Sequence, residues 1–259
     1  MAGRSLVFLM YHELESPGRP LCESEPGYVR YILSRNLFQS QIHWLREKGW
    51  RGLCVSEALD YPEGDSVAIT FDDGCETDLV TAAPILSENH MNATFYITAG
   101  HIGRRGYLSR GQLQQLSAMG FEIGCHSMTH AYLDDLNRSD LQREVWEAKK
   151  TLEDFIGRPV EHFSCPGGRY DAQTVATVQA AGYRSMATSH PRANSPATNP
   201  FSLGRVPILR NFDRAAFERV CTMASLRQMQ CLEFVRGSAR RLLGNQLYDR
   251  FRALVLRER

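Results

Sequence analysis

His126-Ser-Met-Thr-His130 and Thr70-Phe-Asp-Asp-Gly74 hold the side chains in this sequence best suited to chemistry. Two histidines four residues apart lie on one face of a helical turn, so both imidazoles can reach a single metal ion. The Asp-Asp pair follows Val67-Ala-Ile-Thr-Phe71, which reads as a buried strand ending in a glycine turn. A carboxylate from that strand end completes a three-ligand site with positions left for water or substrate, as hydrolytic metal chemistry requires. Either motif alone is weak, because an H-x-x-x-H pair is often solvated and Asp-Asp-Gly is often only a turn. Together they are stronger, since each follows a short apolar run: Val67 to Phe71, and Phe121-Glu-Ile-Gly-Cys125. A third run, Val160-Glu-His-Phe163, leads into Ser164-Cys165-Pro166-Gly167-Gly168.

The elements that must position these groups alternate. Apolar runs at 5–11, 66–71, 93–98, 121–125, 160–164, 183–188 and 205–209 read as strands. Helical spacing fills the gaps: Phe38, Ile42 and Leu45; Leu113, Leu116 and Met119; Leu141, Val145 and Leu152; Val175 and Val178. Each such stretch ends near a glycine, the expected C-terminal stop. Strand–helix alternation implies a mainly parallel sheet with helical crossovers. About seven strands, with every motif at a strand's C-terminal end, favour an α/β barrel. The domain assignment is a barrel over 1–225 and a helical extension over 226–259.

At this point the chain resembles the polysaccharide deacetylases, carbohydrate esterase family 4. Their T-F-D-D-G motif stands unchanged at residues 70 to 74, and their H-[ST]-x-x-H at 126 to 130. Their R-x-P-x-G motif is partial, with Pro166 and Gly168 matching and Ser164 in place of the arginine. The resemblance spans most of residues 5 to 210 and implies a distorted (β/α)7 barrel that removes N-acetyl groups from a sugar with the help of a divalent ion. It implies Asp73, His126 and His130 as ligands and Asp72 as general base. The ligand set suits zinc, and also cobalt, nickel or iron. The motif-three position implies Gly167 and Gly168 as oxyanion donors, with Arg169 as the nearest arginine able to stand in for the missing one.

The family's C-terminal L-x-H histidine is absent, since Arg205-Val-Pro-Ile-Leu-Arg210 contains none. Instead Leu9-Met-Tyr-His-Glu13 resembles the Tyr-His element of the subgroup with rearranged motifs, as in exported poly-N-acetylglucosamine deacetylases, which implies His12 as general acid. The missing arginine and histidine also admit a glycan-binding relative without turnover, and the same fold hosts amidases of cyclic imides. A glycosidase acid pair fits poorly, because such carboxylates usually come from different strands. An oxygenase triad would more often show H-x-D on an all-β scaffold.

The remaining features set boundaries. Net charge is +1, which gives no pull toward nucleic acid. No stretch approaches the roughly 18 apolar residues of a membrane span. The short apolar run near Met1 reads as a first strand rather than a signal peptide. Seven cysteines without a C-x-x-C pair argue against a disulfide framework and favour a reducing compartment. Cys75, Cys125 and Cys165 border the motifs and are expected to pack rather than to form a thiolate site. Residues 15 to 35, with Tyr28 and Tyr31, form a long loop that either covers the substrate groove or is a surface insertion. Residues 236 to 259 place seven arginines around Leu243, Leu247, Phe251 and Leu254 at helical spacing. This helix either packs on the barrel or touches an anionic membrane surface. The expected partner is an N-acetylated glycan or glycolipid, and the expected location is cytoplasmic, with packing on the barrel favoured over peripheral membrane contact for the helix over 236–259.

Overall fold

The structure is a computed structural model that describes residues 5–19 and 21–232. Its strands are β1 (Val7–Tyr11), β2 (Leu14–Glu15), β3 (Leu33–Ser34), β4 (Arg51–Leu53), β5 (Ser66–Phe71), β6 (Thr94–Ile97), β7 (Glu122–Cys125), β8 (His162–Ser164), β9 (Ser185–Ala187) and β10 (Val206–Pro207). The main sheet is parallel and runs β10-β1-β5-β6-β7-β8-β9. Leu203, just before β10, pairs in parallel with Ala187 of β9, so one short segment bridges the two sheet edges. This is the expected distorted (β/α) barrel, and the distortion has two sources. Closure rests on that single bridge, and β5 shares one edge between two partners. Ser66 to Ala68 pair with β4, and Thr70 and Phe71 pair with β6.

Strand alternation sorts the core into two layers. Leu9, Tyr11, Ile69, Phe71, Phe95 and Ile97 face the helices. Phe8, Ala68, Tyr96, Ala187 and Leu203 form a smaller cluster on the opposite, interior face. Tyr11, Phe71 and Phe95 occupy matching register positions on β1, β5 and β6. Their rings stack at 5.2 and 5.0 Å. Phe38 meets Tyr11 edge-on at 5.2 Å. Such pairs contribute about 0.5–1.5 kcal/mol each beyond burial, and they fix the strand ends one residue below His12 and Asp72.

The helices follow the expected periodicity. α2 (Arg35–Glu47) is capped by Ser34, whose hydroxyl accepts from Leu37 N–H, and buries Phe38, Ile42 and Leu45. α5 (Arg110–Ala118) begins with a Ser109–Gln112 capping box, and α8 (Ala172–Ala180) with an Asp171–Thr174 box. The stretch expected as one helix around 141–152 contains a π-helical turn, Arg143–Glu147, between Arg138–Gln142 and Ala148–Ile156. Among the described residues no helix is long and apolar enough to cross a membrane. The expected amphipathic helix at 236–259 lies outside the described residues.

Candidate active site

β5 delivers both aspartates. Asp72 N–H donates to Tyr11 O at 3.0 Å, continuing the β1 ladder, and the chain then leaves the sheet. Asp73 has φ 80° and Gly74 φ 81°. Two successive left-handed residues break the alternation, so neighbouring carboxylates turn toward one site. For Asp73 that backbone costs of order 1 kcal/mol. At Gly74 a side chain would also be crowded, because a Cβ would lie 3.0 Å from the Ile97 side chain.

The two histidines do not lie on a helical turn, as the spacing suggests. Residues 126–130 form an irregular loop after β7, with left-handed backbone at Ser127 (φ 66°) and His130 (φ 65°). Glu144, buried in the π-helical turn, replaces helical hydrogen bonding. Its carboxylate accepts from Met128 N–H (3.0 Å), Thr129 N–H (2.8 Å) and the Thr129 hydroxyl (2.6 Å). His130 N–H donates to Ser127 Oγ at 3.0 Å. The imidazoles still converge, with ring centroids 5.0 Å apart.

Asp73, His126 and His130 present one ligand atom each, all within 4.8 Å of one another. Asp73 Oδ1 lies 3.6 Å from His126 Nε2 and 3.4 Å from His130 Nε2. That oxygen is buried without a hydrogen-bond partner. His126 Nδ1 lies 2.8 Å from Ser164 O, a carbonyl that can only accept. The proton therefore sits on Nδ1 and the Nε2 lone pair faces Asp73. Burial pushes the His126 imidazole down to about 4 against the pull of Asp72, which keeps it in the neutral, metal-ligating form. A carboxylate oxygen lacking a donor and two imidazole nitrogens aimed at it fit a divalent cation.

Asp72 is held by a residue that sequence reasoning passed over. Arg205 is fully buried and donates to both Asp72 oxygens at 2.7 Å. It also donates to Ser164 Oγ (2.7 Å), Thr70 Oγ1 (3.1 Å) and Thr188 O (3.0 Å). Burial alone would raise the Asp72 carboxyl. The Arg205 guanidinium, with help from His126, outweighs burial and holds it well below the usual carboxylate range. Arg169 is not the substitute that its nearness to motif three suggests. Its guanidinium pairs with Asp134 (3.1 Å) and Asp135 (2.6 Å) and lies over the Tyr132 ring.

The glycine pair also needs correction. Gly168 N–H donates to Cys165 O at 2.9 Å, so it is committed within its own turn and is not free for the expected oxyanion role. Both glycines have positive φ and are packed tightly. A Cβ at Gly168 would lie 2.8 Å from Ser189, and one at Gly167 2.6 Å from Tyr132. His12 follows Tyr11, the register partner of Phe71, so it leaves its strand beside Asp72. Burial lowers its imidazole, while Asp73 and Asp72 pull the other way. Tyr31 lies against it at 4.8 Å and Tyr28 edge-on at 6.4 Å, so the loop over 15–35 does cover the His12 side of the site.

The sequence profile of the polysaccharide deacetylase family matches residues 60–186, a span that includes both aspartates, both histidines and Ser164. Over that span the chain matches the polysaccharide deacetylase family. Among relatives, YxkH of Bacillus subtilis, provisionally named as a polysaccharide deacetylase, is 28% identical over 218 residues, covering 82% of this chain and 74% of its own. The poly-β-1,6-N-acetyl-D-glucosamine N-deacetylase of Staphylococcus aureus is 26% identical, covering 69% and 68%. In structure, IcaB from Ammonifex degensii superposes with a TM-score of 0.71 at 25% identity, covering 85% of this chain and 97% of its own. The Streptococcus pyogenes deacetylase PplD, solved with acetate, gives 0.75 at 22%, covering 85% and 99%. Against this family's motif pattern, Arg205 is the departure that matters: the arginine is supplied from the β10 segment instead of from residue 164.

Proposed function

We propose that this protein is a metal-dependent de-N-acetylase of an N-acetylated sugar, with a glycan of N-acetylglucosamine type as substrate. The observation that carries this reading is the convergence of Asp73, His126 and His130 on an unpartnered carboxylate oxygen, beside a separately held Asp72. The named relatives that act on N-acetylglucosamine polymers support the substrate class.

Asp73, His126 and His130 would hold the ion, zinc being the best match to the donor set. When bound, such an ion polarises the amide carbonyl and acidifies water. Asp72 accepts the proton of the attacking water. Arg205 keeps both of its oxygens ionised and oriented toward the site, so Asp72 is unprotonated across the neutral range although its basicity is reduced. His12, on the adjoining strand end, donates a proton to the departing amine nitrogen, as the Tyr-His element implies. Tyr31 and Tyr28 pack on His12 and limit its access to water. The absent arginine at 164 and the absent C-terminal histidine together argued for a binding-only relative, and the guanidinium of Arg205 on Asp72 weakens the first of these grounds.

The test is acetate release from N-acetylglucosamine oligomers and from a lipid-linked N-acetylhexosamine, using metal-stripped, zinc-restored and Asp72→Asn protein. Zinc-dependent release that disappears in the variant is expected. Stoichiometric metal with no release from either substrate would overturn the sugar assignment.

A further inference from the structure

A second cluster of metal-type donors lies outside the site just described. The Cys22 and Cys75 sulfurs, 53 residues apart in the chain, are 3.4 Å from each other. Both Glu13 carboxylate oxygens accept from Cys22 N–H at 3.0 Å, which brings that carboxylate against the sulfurs. Donor atoms of Glu13, Cys22 and Cys75 all fall within 4.8 Å of one another. The Cys22 thiol also lies within donating distance of the Gly106 carbonyl oxygen, at 3.0 Å, which puts a further oxygen beside the cluster.

An independent feature points the same way. Asp78 follows Cys75 by one turn and is buried, with neither carboxylate oxygen hydrogen-bonded. After burial itself, Cys22 has the largest influence on its protonation, followed by Asp73 and then Glu13. Two thiols and two buried carboxylates thus share one small region. A buried carboxylate without a donor is costly unless it is protonated or faces a cation. A cleft lined by Glu13, Arg19, Glu76, Thr77, Arg105 and Gly106 borders the cluster on its Glu13 side.

As free thiols the pair shares an S–H···S contact donated by Cys22, and the sulfur spacing separates the two further roles open to it. Sulfurs at roughly 2.3 Å from a tetrahedral zinc ion stand roughly 3.8 Å apart, a few tenths of an ångström beyond the observed 3.4 Å. A disulfide requires about 2.05 Å, a closure of more than an ångström.

We propose that Glu13, Cys22 and Cys75 form a second cation site, for a thiophilic divalent ion such as zinc, with Asp78 adding negative charge beside it. The ion ties the 15–35 segment to the turn after Asp73. Tyr28 reinforces that tie, its hydroxyl lying 3.4 Å from Cys75 Sγ. Loading of this site therefore fastens the cover that places Tyr31 and Tyr28 on His12. The proposal is independent of the sugar assignment, because it rests on donors that the proposed reaction does not use.

Cadmium titration of the reduced protein tests it, read by bound equivalents and by the ultraviolet sulfur-to-cadmium charge-transfer band. Two equivalents and a thiolate band are expected for the unaltered protein. Cys22→Ser should lose the band and one equivalent, whereas Asp73→Asn should lose one equivalent and keep the band. Cys231→Ser, which removes an exposed thiol elsewhere, should change neither. The proposal is overturned if the unaltered protein shows no band, if the band survives Cys22→Ser, or if it vanishes with Asp73→Asn. It is also overturned if peptide mapping finds Cys22 joined to Cys75 in a disulfide that persists in the reduced, cadmium-loaded protein.

Discussion

Replacing Arg205 with methionine removes the guanidinium while keeping much of the volume. Five hydrogen bonds are lost, two of them to the ionised Asp72. Removing one partner of a buried pair costs about 3–5 kcal/mol, because the other charge stays buried without compensation. That is a large fraction of the roughly 5–15 kcal/mol that holds a typical domain together. The loss should depend on pH with a definite sign. In the unaltered protein the Asp72 value is depressed. Its contribution is therefore present above the unfolded value of about 3.9 and is lost only as pH falls through the lower folded value. Without Arg205, burial dominates and the folded value moves above the unfolded one. Ionised Asp72 then opposes folding, increasingly as pH rises through that window. Urea unfolding should show the gap between Arg205→Met and unaltered protein widest near neutral pH and smaller in mild acid. Acetate release should fall about 10²-fold or more, since the base is neither oriented nor kept ionised. Arg205→Ser combined with Ser164→Arg, which returns a guanidinium from the family's usual position, should recover part of both losses. A stability change below about 1 kcal/mol, independent of pH and with activity kept, would refute the assignment of Arg205 as the residue that holds Asp72.

Three further outcomes are expected. His126→Ala or exhaustive chelation should abolish acetate release, and zinc should restore the chelated protein but not the variant, as measured by metal content alongside activity. His12→Gln should lower kcat by about 10²–10⁴-fold, the usual contribution of a general acid, with KM little changed. A kcat within a few-fold of unaltered protein would remove His12 from catalysis. Glu144→Gln keeps the shape but replaces a carboxylate that accepts three hydrogen bonds from the 128–129 backbone and hydroxyl. Zinc affinity should drop about 10-fold or more, as for other supports of metal ligands, which competition with a chromophoric chelator would show.

The barrel was legible because its strands are apolar and its helices repeat every three to four residues. All seven expected strand runs correspond to strands, and the four expected helical stretches to helices. β4 escaped notice because Arg51-Gly-Leu53 offers three residues and a glycine, too little for a periodic signal. The packing explains the glycine: a Cβ at Gly52 would lie 2.7 Å from Ile69, so the strand exists where the backbone is pressed against β5. The irregular loop over 126–130 was hidden for the opposite reason. H-x-x-x-H spacing suits a helix, but left-handed backbone at Ser127 and His130 and the three bonds to Glu144 override it. The same override leaves a trace in the helix that supplies Glu144, as a π-helical turn that sequence periodicity does not register.

Arg205 shows why motif reading stops short at the base. A motif records where a residue stands in the chain, whereas Asp72 requires only that a guanidinium reach both of its oxygens inside the barrel. The β10 segment crosses between β9 and β1, so a residue there faces the same interior space as Ser164. One large cation fills that space: Arg205 is fully buried and its guanidinium also bonds Ser164 Oγ. A second arginine at 164 would bring like charge into a buried site, so the small hydroxyl there and the arginine at 205 are two halves of one arrangement. The loss of an arginine at 164 therefore says little about lost function until the strand ends that face the same interior have been searched for its replacement. In this sequence Arg205 stands immediately before Val206-Pro207-Ile208, where a charged residue is ordinarily solvent-exposed, so only its burial in the fold reveals its partner.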